Sequence, residues 1–144
     1  MTASEKPFSV LVVEDDDDHA ELALFHLKQC APDATIRRVA DGVEAVSVLM
    51  GAAGAPGQSP DLVLLDLKLR RLDGVGVLQK VRADPELDAV PIVIFSTSNA
   101  NSDKLDAYHR RANSYVVKPA AANEYRGVIQ ELVSYWRNAN RRPG

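Results

Sequence analysis

The chain has 144 residues, 46% of them hydrophobic, a length that buries one substantial core and is short for two ordinary domains. Its net charge of -3 arises from interspersed acids and bases, which leaves no uniform basic face and disfavours nucleic-acid binding. A single cysteine, Cys30, excludes an internal disulfide and any multi-cysteine metal site, and no apolar run has the length of a signal core or a membrane span, so a cytoplasmic protein without membrane contact is expected.

The first apolar run, Phe8 to Val13 (FSVLVV), reads as a strand and leads straight into Glu14 and Asp15 to Asp18. These adjacent carboxylates repel one another, so the fold must supply a cation, a helix N-terminus or water. About Asp17 to Cys30 the pattern turns helical, presenting Ala20, Leu24 and Leu27. A second strand, Thr35 to Val39 (TIRRV), alternates like an edge, and a helix follows over about Val43 to Met50, entered through Asp41-Gly42. Gly51 to Pro60 has loop composition. The third strand, Asp61 to Leu65 (DLVLL), ends at Asp66, and Asp73-Gly74 opens a helix to about Ala83. The fourth, Pro91 to Phe95 (PIVIF), ends at Ser96-Thr97-Ser98, before a helix over about Ser102 to Arg111. The fifth, Ser114 to Val117 (SYVV), ends at Lys118-Pro119, and Tyr125, Val128, Ile129, Leu132 and Trp136 then repeat at helical spacing. The tail from Asn138 is expected to fray.

Strand and helix alternate five times, which implies a doubly wound α/β sandwich on a mostly parallel sheet. In such sheets functional groups collect beyond the carboxyl ends of the strands. Glu14, Asp15, Asp66, the Ser96 hydroxyl with Thr97 beside it, and Lys118 therefore share one edge. Clustered carboxylates need a cation, and an oxygen-rich set suits magnesium better than zinc. Magnesium and an ammonium around one aspartate neutralise a transferring phosphoryl group and leave that carboxylate free to attack phosphorus, with Asp66 the central candidate. Ser96 can donate to a phosphoryl oxygen and follow it inward, with the ring of Tyr115 filling or vacating the space.

VLVVEDD, LVLLDLKLRRLDG, PIVIFSTS and YVVKP, in this order, resemble the four signatures of the receiver domain of bacterial response regulators, and the resemblance covers about Phe8 to Trp136. It implies one receiver domain over 1-144, with a core of about 8-137 and a tail over 138-144, and a flavodoxin-like (βα)5 fold of strand order 2-1-3-4-5. It further implies a phosphorelay protein rather than a turnover enzyme, with Asp66 accepting phosphate from a histidine kinase. Asp15 would ligate magnesium directly, Glu14 through water, Asp66 as both ligand and phosphoacceptor, and Lys68 through its backbone carbonyl. Ser96 matches the switch hydroxyl, Tyr115 the switch aromatic, and Lys118 the phosphate-binding lysine, joined to Pro119 by a cis peptide. NSYVVKP and VSYWRNA are similar to the single-domain regulators of bacterial phytochromes, which implies a bacteriophytochrome kinase and a homodimer through the fourth helix, fifth strand and fifth helix. Tyr135 and Trp136 offer apolar area for that dimer. Output through a surface of the domain and onward transfer to a downstream phosphotransfer protein both stay open.

The chain departs from the family pattern after Asp66, where Arg70 takes the usual proline position and Lys68 the common asparagine one. An intact metal site is expected, and the Lys68 side chain is expected to reach toward the phosphoryl group and alter its lifetime. An EF-hand fails on spacing, since Ala20 and His26 fall where that loop needs Gly and Glu. An aspartyl-phosphate phosphohydrolase typically carries a second aspartate two positions past the nucleophile, where this chain has Lys68. A receiver-shaped binding module that works without phosphate is the remaining alternative. His19, His26 and His109 form no metal-ligand pattern and are expected at the surface.

Overall fold

The structure is a computed structural model that describes residues 6–53 and 58–143. Five parallel strands form one sheet of order β2-β1-β3-β4-β5, the flavodoxin-like order. In chain order the elements are β1 (Ser9–Val13), α1 (Asp17–Cys30), β2 (Thr35–Val39), α2 (Gly42–Ala52), β3 (Leu62–Leu65), α3 (Gly74–Arg82), β4 (Ile92–Ser96), α4 (Asn101–His109), β5 (Ser114–Val117) and α5 (Ala122–Ser134). A 3-10 turn at Pro85–Leu87 and a π turn at Tyr135–Ala139 complete the path, and neither follows from hydrophobic periodicity.

The central strands β1, β3 and β4 are almost wholly apolar because both of their faces are covered. Alternate residues divide the core in two. Leu11, Val13, Val63, Leu65, Ile92 and Ile94 pack with Leu49, Val77 and Leu78 of α2 and α3, while Val10, Val12, Leu62, Leu64 and Phe95 pack with Leu27 of α1 and Tyr125 and Ile129 of α5. β2 alternates in exposure, as an edge strand does.

Strand register sets the site. Val13 pairs with Leu65, and Ser96 with Val117, so Glu14, Asp66 and Lys118 each stand one residue past a paired strand end. Their amides extend the ladder by one bond: Glu14 N donates to Val39 O at 3.1 Å, Asp66 N to Val13 O at 3.1 Å and Lys118 N to Ser96 O at 2.7 Å. Asp16, Asp41 and Asp73 cap the N-termini of α1, α2 and α3, each accepting from a backbone amide three residues on, which starts the three helices at the carboxyl edge of the sheet.

Two expectations need correction. α2 runs to Ala52, over the start of the expected loop at Gly51, because Leu49 and Ala52 still bury against the sheet; positions 54–57 of that loop lie outside the described residues. The tail is tied down. Arg137 forks onto both carboxylate oxygens of Asp33 while lying over the Phe8 ring, and Arg142 reaches the Pro60 carbonyl at 3.1 Å and Asp61 at 3.2 Å. These partners lie about 80 to 100 residues away in sequence, beyond any local pattern.

Gly74 is required by the backbone that carries Asp66. A Cβ there would lie 2.4 Å from the Asp66 carbonyl oxygen and 2.8 Å from Leu67 Cα, and neither atom can rotate away. Gly74→Ala is expected to cost about 2 kcal/mol in urea denaturation. Gly127→Ala, in α5 where an added Cβ meets nothing within 4 Å, is expected to stabilise by about 0.5–1 kcal/mol.

Candidate functional site

The acidic run is divided by its path off β1. Glu14 turns inward and is 4% exposed, while Asp15 is half-buried. Asp16 becomes the α1 cap, its Oδ1 accepting from the His19 amide at 3.0 Å, and that bond holds its carboxyl below the usual carboxylate range. Asp17 and Asp18 occupy the first helical turn, where acids are favoured by the positive helix end, and Asp17 pairs with Arg38 at 2.9 Å.

At the centre is the ammonium of Lys118. It donates to Glu14 Oε1 and to Asp66 Oδ2 at 3.1 Å, and lies 2.9 Å from His19 Nδ1, which takes its third proton in the tautomer with Nδ1 unprotonated. Glu14, Asp66 and Lys118 are all buried, and the Phe95 ring stands 5.9 Å from the ammonium. Two carboxylates against one ammonium leave excess negative charge in a desolvated place. Burial pushes the Glu14 carboxyl up to about 7, the Lys118 bond opposes that rise, and the Asp66 charge adds to it. The Tyr125 hydroxyl is raised as well, chiefly by burial and then by the charges of Glu14 and Asp66.

Asp15 is held from outside this group. Arg70 donates to its carbonyl at 3.1 Å and lies 3.7 Å from its carboxylate. The arginine that stands at the proline position thus delivers a cation to a candidate metal ligand. Lys68 is exposed; its amide approaches Asp66 Oδ1 at 3.4 Å, at the long limit of a hydrogen bond.

The other candidates sit on the β4 side. Ser96 is buried and its hydroxyl accepts from the Ser98 amide at 3.2 Å, whereas Thr97 is exposed. Tyr115 is half-buried and donates to the Ser98 carbonyl at 2.9 Å, which fixes its ring against the loop leading to α4. Tyr135 is 52% exposed, while Trp136 touches it edge-on and packs partly on the α5 side of the core.

Three sequence expectations change. The Lys118–Pro119 bond is not cis, for no described peptide bond is; trans is the intrinsically preferred isomer, and Lys118 reaches both acids from it. His19 is at the site rather than simply on the surface, because as the third residue of a helix capped by Asp16 it turns back toward the strand edge. His26 is half-buried and stacks on Tyr125 with ring centroids 5.5 Å apart. A short capped entry from a strand-end acid into a helix is the signal that places His19, and counting metal-ligand spacings overlooks it.

The donors fit a divalent cation. Buried carboxylate oxygens of Glu14 and Asp66 already converge on a positive charge, and Asp15 adds a third carboxylate at the rim.

Known proteins resemble this chain in sequence and in fold. Residues 10–130 match the family model of the response regulator receiver domain. The chain is 34% identical to a probable methanogenesis regulatory protein, FilR2 of Methanothrix harundinacea, over 98% of this chain and 91% of that one. Response regulator Rcp1 of Synechocystis is 29% identical, covering 92% of this chain and 91% of Rcp1, and its manganese-bound crystal structure superposes with a TM-score of 0.83 over 96% of this chain and all of that one. The phosphorylated cyanobacterial phytochrome response regulator RcpA superposes with a TM-score of 0.88 at 28% identity, over 96% of this chain and all of that one.

Glu14 also sets a pH dependence. Its folded value lies above the ordinary 4.5, so its contribution to stability is full below about 4.5 and is lost as pH rises through about 7. In the presence of chelator, Glu14→Gln is therefore expected to gain in melting temperature relative to wild type as pH goes from 4.5 to 7.5. A constant difference across that window contradicts the assignment.

Proposed function

From the premise that the chain belongs to the response regulator receiver domain family, and so serves as a two-component phosphoacceptor, we propose that Asp66 carries the phosphoryl group. The observation that supports this most directly is the bond from the buried Lys118 ammonium to Asp66 Oδ2 at the carboxyl edge of the sheet. Asp66 is the acid with a central position, between the ends of β1 and β4.

In this reading the Asp66 carboxylate attacks the phosphorus of a kinase phosphohistidine; the new P–O bond forms as the P–N bond breaks, and the imidazole leaves with the electron pair. Asp15, Asp66 and the Lys68 carbonyl would hold magnesium directly, with Glu14 acting through water. A bound magnesium ion supplies charge for the phosphoryl oxygens. Lys118 then exchanges Glu14 for a phosphoryl oxygen, keeping its ammonium hydrogen-bonded throughout. Ser96 and Thr97 offer hydroxyls from the end of β4, and Tyr115 gives up its bond to the Ser98 carbonyl as that loop moves. The manganese-bound form of Rcp1 supports a divalent ion, and the likeness to the phytochrome response regulator RcpA supports a phytochrome histidine kinase as donor.

The output surface in this reading is a homodimer through α4, β5 and α5. Leu105 and Tyr108 on α4 and Tyr135 after α5 are large, exposed apolar side chains on that side of the molecule. Onward transfer to a downstream phosphotransfer protein would use the same phospho-Asp66. Phosphate-ester turnover is disfavoured by Lys68, which cannot act as the carboxylate acid/base that chemistry needs.

Asp66→Asn is expected to abolish magnesium-dependent incorporation of phosphate from a small-molecule phosphodonor, read by intact-mass spectrometry. Undiminished incorporation in that variant removes the proposal. Arg70→Ala frees Asp15 of a competing cation and is expected to raise magnesium affinity by up to about fivefold in calorimetry, the scale set by an exposed ion pair worth ~0.2–1 kcal/mol.

A further inference from the structure

The ammonium of Lys118 marks a point toward which three lone pairs are directed. An ammonium has protons to donate and no lone pair to offer, so the 2.9 Å contact with His19 Nδ1 is a hydrogen bond in the tautomer whose Nδ1 carries the lone pair. Glu14 Oε1 and Asp66 Oδ2 accept from it at the ends of β1 and β3. These three ligand atoms lie within 4.8 Å of one another. One imidazole nitrogen and two carboxylate oxygens around a buried positive charge form a donor set for a metal ion, held in this structure by a side-chain cation.

A second observation comes from Tyr125. Its hydroxyl is buried and makes no hydrogen bond, although the ring is 3% exposed and packs edge-on against Phe95, the residue beneath the Lys118 ammonium. A buried hydroxyl without a partner is costly, and this one feels the charges of both Glu14 and Asp66.

We propose that His19 adds a nitrogen ligand to this site and makes it a binding site for first-row transition ions such as Co2+ and Zn2+, seated where the Lys118 ammonium now lies. This mode uses Glu14, His19 and Asp66, and it differs from the oxygen-only set of Glu14, Asp15, Asp66 and the Lys68 carbonyl. Imidazole favours the softer transition ions over magnesium, so His19 shifts selectivity between them. Because the ion and the ammonium share three ligand atoms, they exclude one another. A chain loaded in this way has Lys118 displaced from Asp66, and metal identity thereby governs whether the lysine is in place for phosphoryl acceptance. The inference deepens the metal reading above and rests on it for that last consequence alone.

The test is calorimetric titration of the metal-free full chain with CoCl2 and, separately, MgCl2, together with the visible absorption of bound Co2+. Wild type, His19→Ala and Lys118→Ala are compared, with circular dichroism to verify folding. His19→Ala is expected to weaken Co2+ binding about tenfold and to change the Co2+ spectrum, while magnesium affinity stays within twofold. Lys118→Ala is expected to bind Co2+ more tightly than wild type. Equal weakening of both ions by His19→Ala, or Co2+ affinity unchanged in that variant, overturns the nitrogen ligand. Co2+ affinity unchanged or reduced in Lys118→Ala overturns the shared position. Failure of magnesium-dependent phosphate incorporation at Asp66, measured on wild type in parallel, bears on the receiver reading and leaves the Co2+ comparison intact.

Discussion

The arrangement depends on one buried ammonium. Glu14 and Asp66 are brought together by the register of β1 and β3, and two desolvated carboxylates at that separation cannot both remain charged without a cation between them. Lys118 supplies it from the end of β5, across the width of the sheet. The cost of the cluster is thus met within the protein itself.

The two ends of the sheet divide the work. At the carboxyl edge, helix caps, strand-end acids and the lysine hold charge in little space, with the Gly74 backbone against the Asp66 carbonyl. At the amino edge, Arg137 with Asp33 and Arg142 with Asp61 tie the C-terminal segment to the entries of β2 and β3. Arg82 extends the same logic along the flank: its buried guanidinium donates to the carbonyls of Leu87, Asp88 and Arg111 and to the Asn113 side chain, joining α3 to the segments around β4 and β5. Desolvation lowers its pKa, with the charge of Arg111 adding to the effect, and carbonyl dipoles satisfy its protons. Such anchors join α3 to β4 and β5, and Tyr115 pins the loop between β4 and α4 through its bond to the Ser98 carbonyl.

Two basic residues modify the rim. Arg70, standing where proline is usual in the family, reaches Asp15, and Arg71 takes a positive φ of 66° to pair with Asp41, the cap of α2. The loop after Asp66 is therefore tied on both sides by charge, in place of the φ restriction that proline imposes. Its exposed ion pairs respond to ionic strength, which a proline would not.

Local sequence was enough for the five strands and the four motif positions, whereas the strand order followed only from the resemblance that those motifs carry. Continuous Val, Leu and Ile runs read as covered parallel strands because a strand buried on both faces has no polar alternate. The β-α alternation then limits the crossovers, and an acid or lysine directly after such a run must fall at one edge. Glu14, Asp15, Asp66 and Lys118 were legible for that reason. The roles of His19, Arg70 and the tail arginines were not, since their partners lie tens of residues away and side-chain reach depends on how α1, the loop after Asp66 and the C-terminal turn pack. Residue types and their order determined which groups share an edge, because backbone periodicity is local. The tertiary structure decided which of them touch and which isomer the bond before Pro119 takes, because burial and ion pairing are properties of the packed whole.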